Sequence, residues 1–334
     1  MKLKDIGEFG FIDRVKPLCQ VTKKGIIKAI GDDCAVYKGG GEDRAVLFTT
    51  DMLVENVHFL LDRITPFELG YKTLAVNLSD IAAMGGKPLN AFLSIAVPER
   101  ITVKFLDELY AGIMSLGRRY HVNVLGGDTT GSKNDLVLNI ALTGEAEESS
   151  LLYRGGAQAG DKIYVNGYLG ESAAGLEVLI KDVDLDETVK RYLVKTHLLP
   201  EVYIAEGAFL AETGDVTSCI DVSDGISSDL GHICRESGCG ALLYEKDLPV
   251  SDELKVFAET TKKKPLDIIL SGGEDYKLLF TVRNNKSDAL ENIFKNKFGR
   301  PLFCLGEIMT GKDIFLRNRG GEEQLIKPSG WDHF

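Results

Sequence analysis

The chain has 334 residues, 44% of them hydrophobic and 27% charged, ordinary globular composition with enough apolar material for two domains or one large one. Lys plus Arg number 39 and Asp plus Glu 50, a formal net charge of −11; with no basic tract, the chain is a poor match for nucleic-acid phosphates. No apolar run is long enough to span a membrane, and the opening MKLKDIGEFGFIDRV breaks its apolar residues with charges, so a cytoplasmic protein without membrane anchor or secretory signal is expected.

Strand-like and helix-like segments alternate along the chain. Ala45–Thr50 (AVLFTT) reads as a buried strand closed by Asp51. Phe67–Met84 reads as a helix with Leu74, Leu78 and Ile81 on one face, stopped by Gly85, Gly86 and Pro88. Ala91–Val97 is a second strand, Val103–Tyr120 a helix striped by Phe105, Leu109, Ile113 and Leu116, and Asn123–Leu125 leads into Gly126-Gly127-Asp128 before a strand over Leu136–Thr143. A polar, glycine-rich seam follows at Glu145–Asp161, which sets a boundary near 147–155 between an N-terminal domain (1–147) and a C-terminal one (148–334). Beyond it the pattern restarts. Strands are expected at Lys162–Val165, Cys219–Val222, Ala241–Tyr244, Tyr276–Val282 and Phe303–Glu307, and helices at Glu171–Ile180, Glu201–Glu212, Ser227–Glu236, Asp252–Thr261 and Ser287–Phe298. A hairpin is expected around Arg319–Gly321. This order is α/β or α+β in each half.

The cysteines at 19, 34, 219, 234, 239 and 304 form no C-x-x-C pair, which argues for free thiols and against a zinc ribbon or thioredoxin motif. There is no G-x4-G-K-[ST], no G-x-G-x-x-G after a strand, no kinase H-R-D or D-F-G, and no G-x-S-x-G. What recurs is acid at the ends of apolar elements. Asp32-Asp33 lies in I-G-D-D-C-A, Asp51 in L-F-T-T-D, Asp80 inside the apolar helix N-L-S-D-I-A-A-M-G, and Asp128 in L-G-G-D-T-T. Asp221 and Asp224 frame D-V-S-D-G, and Glu274-Asp275 follow S-G-G.

Each acid has a structural alternative: Asp32 or Asp33 as a turn residue, Asp51 as a cap, Asp221 and Asp224 as an N-cap pair before Ser227. Their number favours divalent metal over salt bridges, since a carboxylate beside a core strand loses hydration and Mg²⁺ takes oxygen ligands shared with phosphates. The glycine turns G-G-D-T-T and S-G-G-E-D let backbone N–H groups approach phosphate oxygens, so the combination suggests phosphoryl transfer held by several Mg²⁺ ions.

These stretches resemble the thiamine-monophosphate kinases. The residues that carry the resemblance are G-D-D-C-A at 31–35, T-T-D-M-L-V-E-N-V-H-F at 49–59 and K-T-L-A-V-N-L-S-D-I-A-A-M-G at 72–85. G-G-D-T-T at 126–130, D-V-S-D-G-I-S-S-D-L at 221–230, S-G-G-E-D-Y at 271–276 and the terminal G-W-D-H-F complete it. The G-G-D and D-x-S-D-G elements are shared with the wider aminoimidazole-ribotide synthetase and selenophosphate synthetase superfamily.

The resemblance implies a two-domain aminoimidazole-ribotide synthetase-like fold and a homodimer whose N-terminal strands form a barrel across two subunits. It implies transfer of the γ-phosphoryl of ATP to the phosphate of thiamine monophosphate. Metal ligands then fall on Asp33, Thr49, Thr50, Asp51, Asp80, Asp128, Asp221 and Asp224, and ATP contacts on Tyr110, Gly127, Asp128, Arg154 and Ser223. Substrate contacts fall on His58, Glu274 and Trp331. An acceptor phosphate is already ionised, so no catalytic base is assigned; Arg154 suits a fork on phosphate, and Trp331 offers a face to a cationic or aromatic ring. Three residues depart from the family pattern: Asn56 where Gly is common, Lys277 where Glu is common, expected to bring a cation near the substrate pocket, and Trp331 where Phe or Tyr is frequent. Other ATP-using members of the superfamily, a metal-dependent phosphate-ester hydrolase, and a nucleotide-binding module without turnover are the alternatives.

Overall fold

The computed structural model describes residues 2–19, 21–41, 43–327 and 330. Helix α1 (Gly7–Cys19) leads into strands β1 (Ile26–Lys28), β2 (Ala35–Lys38) and β3 (Arg44–Val54). Helix α2 (Pro66–Ala83), β4 (Lys87–Pro98), α3 (Val103–Tyr120), β5 (Asn123–Ser132) and β6 (Val137–Glu147) follow. The six strands form one sheet in the order β1-β2-β3-β6-β4-β5, antiparallel except for β4 with β5.

Two local expectations are corrected here. The strand expected to stop at Asp51 runs on to Val54, and Asp51 sits mid-strand opposite Ile140. The reason is period-two burial: Ala45, Leu47, Thr49 and Leu53 all pack on one face, and the ladder to β6 is unbroken. The G-G-D-T-T stretch is likewise no turn before a strand but part of β5 itself. It pairs with β4 across a register shift at Ala91/Phe92, where Gly127 has φ +151° and a Cβ would stand 1.7 Å from the Leu93 carbonyl oxygen.

Helix α2 starts at a capping box. Thr65 Oγ1 accepts from the Glu68 N–H at 3.2 Å, and Glu68 Oε2 accepts from the Thr65 N–H at 2.9 Å, with Pro66 in the first turn. Thirteen of its 18 residues are buried, so it is a central helix with no solvent face of its own. It packs against β3, β6 and α3 in the first half of the chain and against α6 (Ile204–Thr213) and β8 (Val216–Asp221) in the second. Close approach depends on glycine. A Cβ at Gly70 would lie 1.9 Å from the Leu109 carbonyl oxygen, one at Gly112 would lie 2.0 Å from that of Phe67, and one at Gly207 would lie 2.0 Å from that of Ala82.

The second half contains β7 (Lys162–Val165), α4 (Glu171–Ile180), α5 (Glu187–Leu198), α7 (Ile226–Ser237) and β9 (Gly240–Tyr244). After these come α8 (Asp252–Thr261), α9 (Pro265–Ser271), β10 (Leu278–Val282), α10 (Ser287–Phe298) and β11 (Phe303–Met309). The hairpin β12 (Ile314–Arg317) with β13 (Glu323–Ile326) closes it. Its seven-stranded sheet runs β13-β12-β9-β11-β7-β10-β8, so Asp221 ends an edge strand facing α2. The fold is the expected mixture of helix and sheet in each half. Among the described residues no helix is long and apolar enough to cross a membrane.

The glycine contacts give a stability prediction. Gly112→Ala forces backbone against backbone where α3 crosses α2, and overpacking of this kind costs about 1–3 kcal/mol. A melting temperature lowered by several degrees is expected by calorimetry; an unchanged curve would show that the two helices part freely.

Candidate metal and phosphate site

The two sheets meet along α2, and acids from four elements converge there. Asp80 comes from α2, Asp51 from β3, Asp33 from the turn before β2, and Asp221 from the end of β8. One oxygen from each of Asp33, Asp80 and Asp221 lies within 4.8 Å of the others. The acids are held by short polar side chains: Thr49 Oγ1 donates to Asp80 Oδ2, Ser79 Oγ donates to Asp221 Oδ2 at 2.6 Å, and Asn77 Oδ1 accepts the Asp51 N–H at 3.2 Å. Asp51 also hydrogen-bonds Asp80.

Burial dominates their electrostatics. It pushes Asp33 up to about 7, with Arg154 opposing and Asp221 and Asp32 adding to the rise. It pushes Asp51 up to about 6 despite the hydrogen bond with Asp80, and Asp221 up to about 6 despite Ser79 and Arg154. Asp80 is raised well above the usual carboxylate range by burial and then by Asp51, Asp221 and Asp33. Arg154 directs both Nε (3.1 Å) and Nη2 (2.5 Å) to Asp33 Oδ1. Asp33 Oδ2 is buried and has no hydrogen-bond partner. An all-oxygen donor set, buried at Asp33 and Asp221 and half-buried at Asp51 and Asp80, with more negative charge than one guanidinium can offset and an orphaned oxygen within it, fits a hard divalent cation such as Mg²⁺.

The remaining candidates surround this cluster unevenly. Thr50 points its hydroxyl to the other face of the sheet, where it accepts from Asn139 Nδ2 at 2.9 Å. Asp128 is exposed on β5 and accepts from the Thr129 N–H at 3.0 Å; Gly127 precedes it on the same edge strand. Tyr110 is 39% exposed on α3, away from the acids' hydrogen bonds. The Ser223 carbonyl accepts the Glu274 N–H at 2.7 Å, which joins D-V-S-D-G to S-G-G-E-D. His58 Nδ1 accepts the Val54 N–H at 3.0 Å, so in the neutral ring Nε2 carries the hydrogen. Glu274 is paired with Lys72 at 3.0 Å. Trp331 lies outside the described residues; Gly330 before it packs so closely that a Cβ would stand 2.6 Å from the Asp224 carbonyl oxygen.

The structural alternatives for the acids resolve individually. Asp32 is a loop tie, accepting the Arg154 N–H at 3.1 Å and pairing with Lys28 at 3.0 Å. Asp51 caps nothing, being inside β3. Asp221 and Asp224 are not an N-cap pair for α7: that helix begins at Ile226 after Gly225, and Asp229 reaches back from its first turn to the N–H groups of Asp224 and Gly225 at 3.3 and 3.1 Å.

Ser79, Asn77, Lys72, His197 and Asp229 escaped the sequence reading. The first three belong to a polar series, Lys72, Thr73, Asn77, Ser79 and Asp80, within an otherwise apolar helix, and that interruption was the available signal. His197 carries no motif. Two departures gain a physical reason. Asn56 has φ +63° and donates from Nδ2 to Asp135 at 3.0 Å, a left-handed position where Gly or Asn is at ease. Lys277 does not bring a cation to the substrate pocket: it is buried, and its Nζ donates to the Tyr203 hydroxyl at 2.6 Å.

The AIR synthase related protein N-terminal domain family matches residues 31–146, and the corresponding C-terminal domain family matches residues 158–317. Thiamine-monophosphate kinase of Aquifex aeolicus (strain VF5) is 33% identical over 334 residues, 100% of both chains. That of Escherichia coli (strain K12) is 37% identical over 329 residues, 98% of each. The solved structure of AaThiL complexed with AMPPCP and TMP superposes with a TM-score of 0.85 at 33% identity, covering 100% of this chain and 99% of that one.

The raised acids set a pH dependence. Asp33, Asp51 and Asp221 hold protons more tightly folded than unfolded, where carboxyls titrate near 3.8. Their contribution to stability is therefore full below that value and is lost as pH rises through about 6 to 7. A bound divalent cation offsets the loss only where the acids ionise. Mg²⁺ is expected to raise the melting temperature of metal-stripped protein more at about pH 8 than at about pH 5.5, and Asp80→Asn to shrink the difference. Equal Mg²⁺ effects at both pH values would count against a cation at this cluster.

Proposed function

The chain belongs to the thiamine-monophosphate kinase family, and on that premise we propose that it transfers the γ-phosphoryl group of ATP directly onto the phosphate of thiamine monophosphate, giving thiamine diphosphate and ADP. It is a thiamine-phosphate kinase, a phosphotransferase whose acceptor is itself a phosphate. The observation that supports the mechanism most directly is the buried acid cluster with its orphaned Asp33 oxygen beside Arg154.

Asp33, Asp51, Asp80, Asp128, Asp221 and Asp224, with Thr49 and the main-chain carbonyl of Thr50, whose hydroxyl lies on the other face of the sheet, are the residues we assign to several Mg²⁺ ions, which would supply positive charge against the repulsion of two phosphate groups. Arg154 forks onto the ATP phosphates, and to do so its guanidinium has to leave Asp33 Oδ1, so the nucleotide and Asp33 compete for one cation. Gly127 keeps a side chain off the β5 edge where phosphate approaches beside Asp128, and Tyr110 and Ser223 complete the nucleotide contacts. His58 donates from Nε2 toward the acceptor phosphate, while Glu274 and Trp331 take the thiamine end. A phosphate oxygen is ionised near neutral pH, so no side chain has to remove a proton from the nucleophile.

The first sheet has an open face that supports a dimer. Thr50, Ala141 and Phe92 lie in one row across β3, β6 and β4, on the face opposite α2. Phe48 is 37%, Met52 53% and Phe92 41% exposed. A second copy covering these residues with its own first sheet yields a homodimeric barrel.

Three measurements test this reading. ADP formation that depends on thiamine monophosphate, with thiamine diphosphate as product, separates the kinase from a hydrolase or a module without turnover. Asp51→Asn and Asp128→Asn are each expected to nearly abolish turnover without lowering the melting temperature. Activity within about tenfold of wild type, roughly 1.4 kcal/mol of barrier, would remove that residue from the metal ligands. Light scattering at micromolar concentration should give a dimer, with an interface above about 2,000 Å² in total, that Phe92→Asp converts to monomer. A monomeric wild type would rule out the barrel.

A further inference from the structure

A second group of buried charge lies apart from the acid cluster. Lys72 on α2 is 1% exposed, and its Nζ lies 3.0 Å from Glu274 Oε1 and 3.4 Å from His197 Nε2. His197, near the end of α5, is also buried; its Nδ1 lies 3.0 Å from Ser172 Oγ and 3.4 Å from Glu274 Oε2. An ammonium only donates, so Nε2 accepts from Lys72 and Nδ1 carries the ring hydrogen, toward Ser172 and Glu274. Burial, with Lys72 adding, lowers His197 to about 3, so the ring is neutral and Lys72 is the cation of the group. Burial alone would raise Glu274, but Lys72, His197 and His58 overcome it and hold the carboxyl below its usual range.

The main chain around Glu274 is equally constrained. Glu274 and Tyr276 have φ of +61° and +50°, left-handed values that side-chain-bearing residues keep only where their surroundings insist. Their N–H groups donate to the Ser223 and Val222 carbonyls at 2.7 Å each. Between them, Asp275 accepts from the N–H groups of Gly170 and Ser172 at 2.6 and 3.2 Å. The Glu274 side chain retains 27% exposure while those of Lys72 and His197 retain 1% and 4%, so the carboxylate reaches solvent with its partners behind it.

We propose that Lys72 and His197 are positioning residues for the thiamine end of the substrate, gripping both oxygens of Glu274 so that it stands as a fixed, ionised acceptor. The proposal rests on the reading of Glu274 as a substrate contact. It also gives α2 a measuring role. Lys72 and Asp80 are eight residues apart on one helix, about 12 Å along its axis. The anchor of the substrate's acceptor and a carboxylate of the acid cluster therefore cannot drift relative to each other.

Steady-state kinetics on three variants test it. Glu274→Gln is expected to raise KM for thiamine monophosphate about tenfold and leave KM for ATP unchanged. Lys72→Met is expected to raise the same KM about tenfold or more, with kcat and KM for ATP within about twofold of wild type. Because Lys72→Met leaves a buried anion and can fail to fold, the double variant Lys72→Met/Glu274→Gln, which removes both charges, is the second measurement. Its KM for thiamine monophosphate should equal that of Glu274→Gln alone, since Lys72 acts only through Glu274. A double variant with a further rise, or Lys72→Met with lower stability and wild-type KM, overturns the proposal. A Glu274→Gln variant with wild-type KM instead overturns the substrate reading of Glu274, and the proposal falls with it.

Discussion

Carboxylates removed from water repel one another, and this chain gathers four of them with a single guanidinium, paired to Asp33, at their edge. Asp33, Asp51, Asp80 and Asp221 arrive from a turn, a strand, a helix and a strand end, in both halves of the chain. All four are driven toward the neutral form, and for each the first cause is burial. A fold that evolved only for stability would replace them with apolar residues, because buried charge that is incompletely compensated costs more than it returns. The deficit of positive charge is therefore a property of the site, and it is what the proposed Mg²⁺ ions would offset.

Helix α2 makes that deficit possible. It is enclosed on all sides, so its backbone hydrogen bonds stay dry and its side chains have little freedom. Gly70 and Gly112 bring α3 within backbone contact, Gly207 does the same for α6, and the capping box fixes where the helix starts. A mobile helix would let Asp80 swing away from Asp51 and Asp221 and relieve the repulsion. Rigidity holds the acids together, and Asn77 and Ser79 from the same helix hold Asp51 within β3 and Asp221 at the end of β8.

Much of this was legible in the sequence, and what was not has physical reasons. The periodic helices over Val103–Tyr120, Glu171–Ile180, Asp252–Thr261 and Ser287–Phe298 stand as read, because each combines a clear apolar stripe with a stop. Helix α1 was missed because none of its residues is buried, so no stripe marks it. The continuation of β3 past Asp51 was missed because an acid looks like an end until one knows that its side chain faces other acids. G-G-D-T-T was read as a turn because glycine usually signals one; here it allows a strand to approach its neighbour at Leu93. Asp33, Asp51, Asp80 and Asp221, which converge in the fold, stand out in the sequence because an acid at or within an apolar element is conspicuous by its type. Lys72 and His197 do not, since a lysine in a helix and a lone histidine carry no information until the fold brings residues 72, 197 and 274 together.

Two carboxylate sites in one chain, Glu274 and Asp33, shift in opposite directions. Glu274 is only partly buried, with 27% of its side chain exposed; Lys72 pairs with it and its proton is released more readily than usual. Asp33 is buried and also paired, with Arg154, yet its proton is held to about 7. The difference is exposure as well as stoichiometry, since the Asp33 side chain is fully buried where that of Glu274 is 27% exposed. One ammonium serves one carboxylate at Glu274, whereas at Asp33 one guanidinium faces a carboxylate that Asp32 and Asp221 also load with negative charge. A one-to-one pair is complete and has no need to exchange partners, which suits a group whose task is to hold a substrate's orientation. An under-compensated cluster is incomplete by construction, and its one cation is free to be drawn away by a stronger anion, provided other positive charge takes its place. The proposed roles match the two side chains: the planar fork of Arg154 can be shared between carboxylate and phosphate, while the compact ammonium of Lys72, at the end of a buried stem, fills one fixed position.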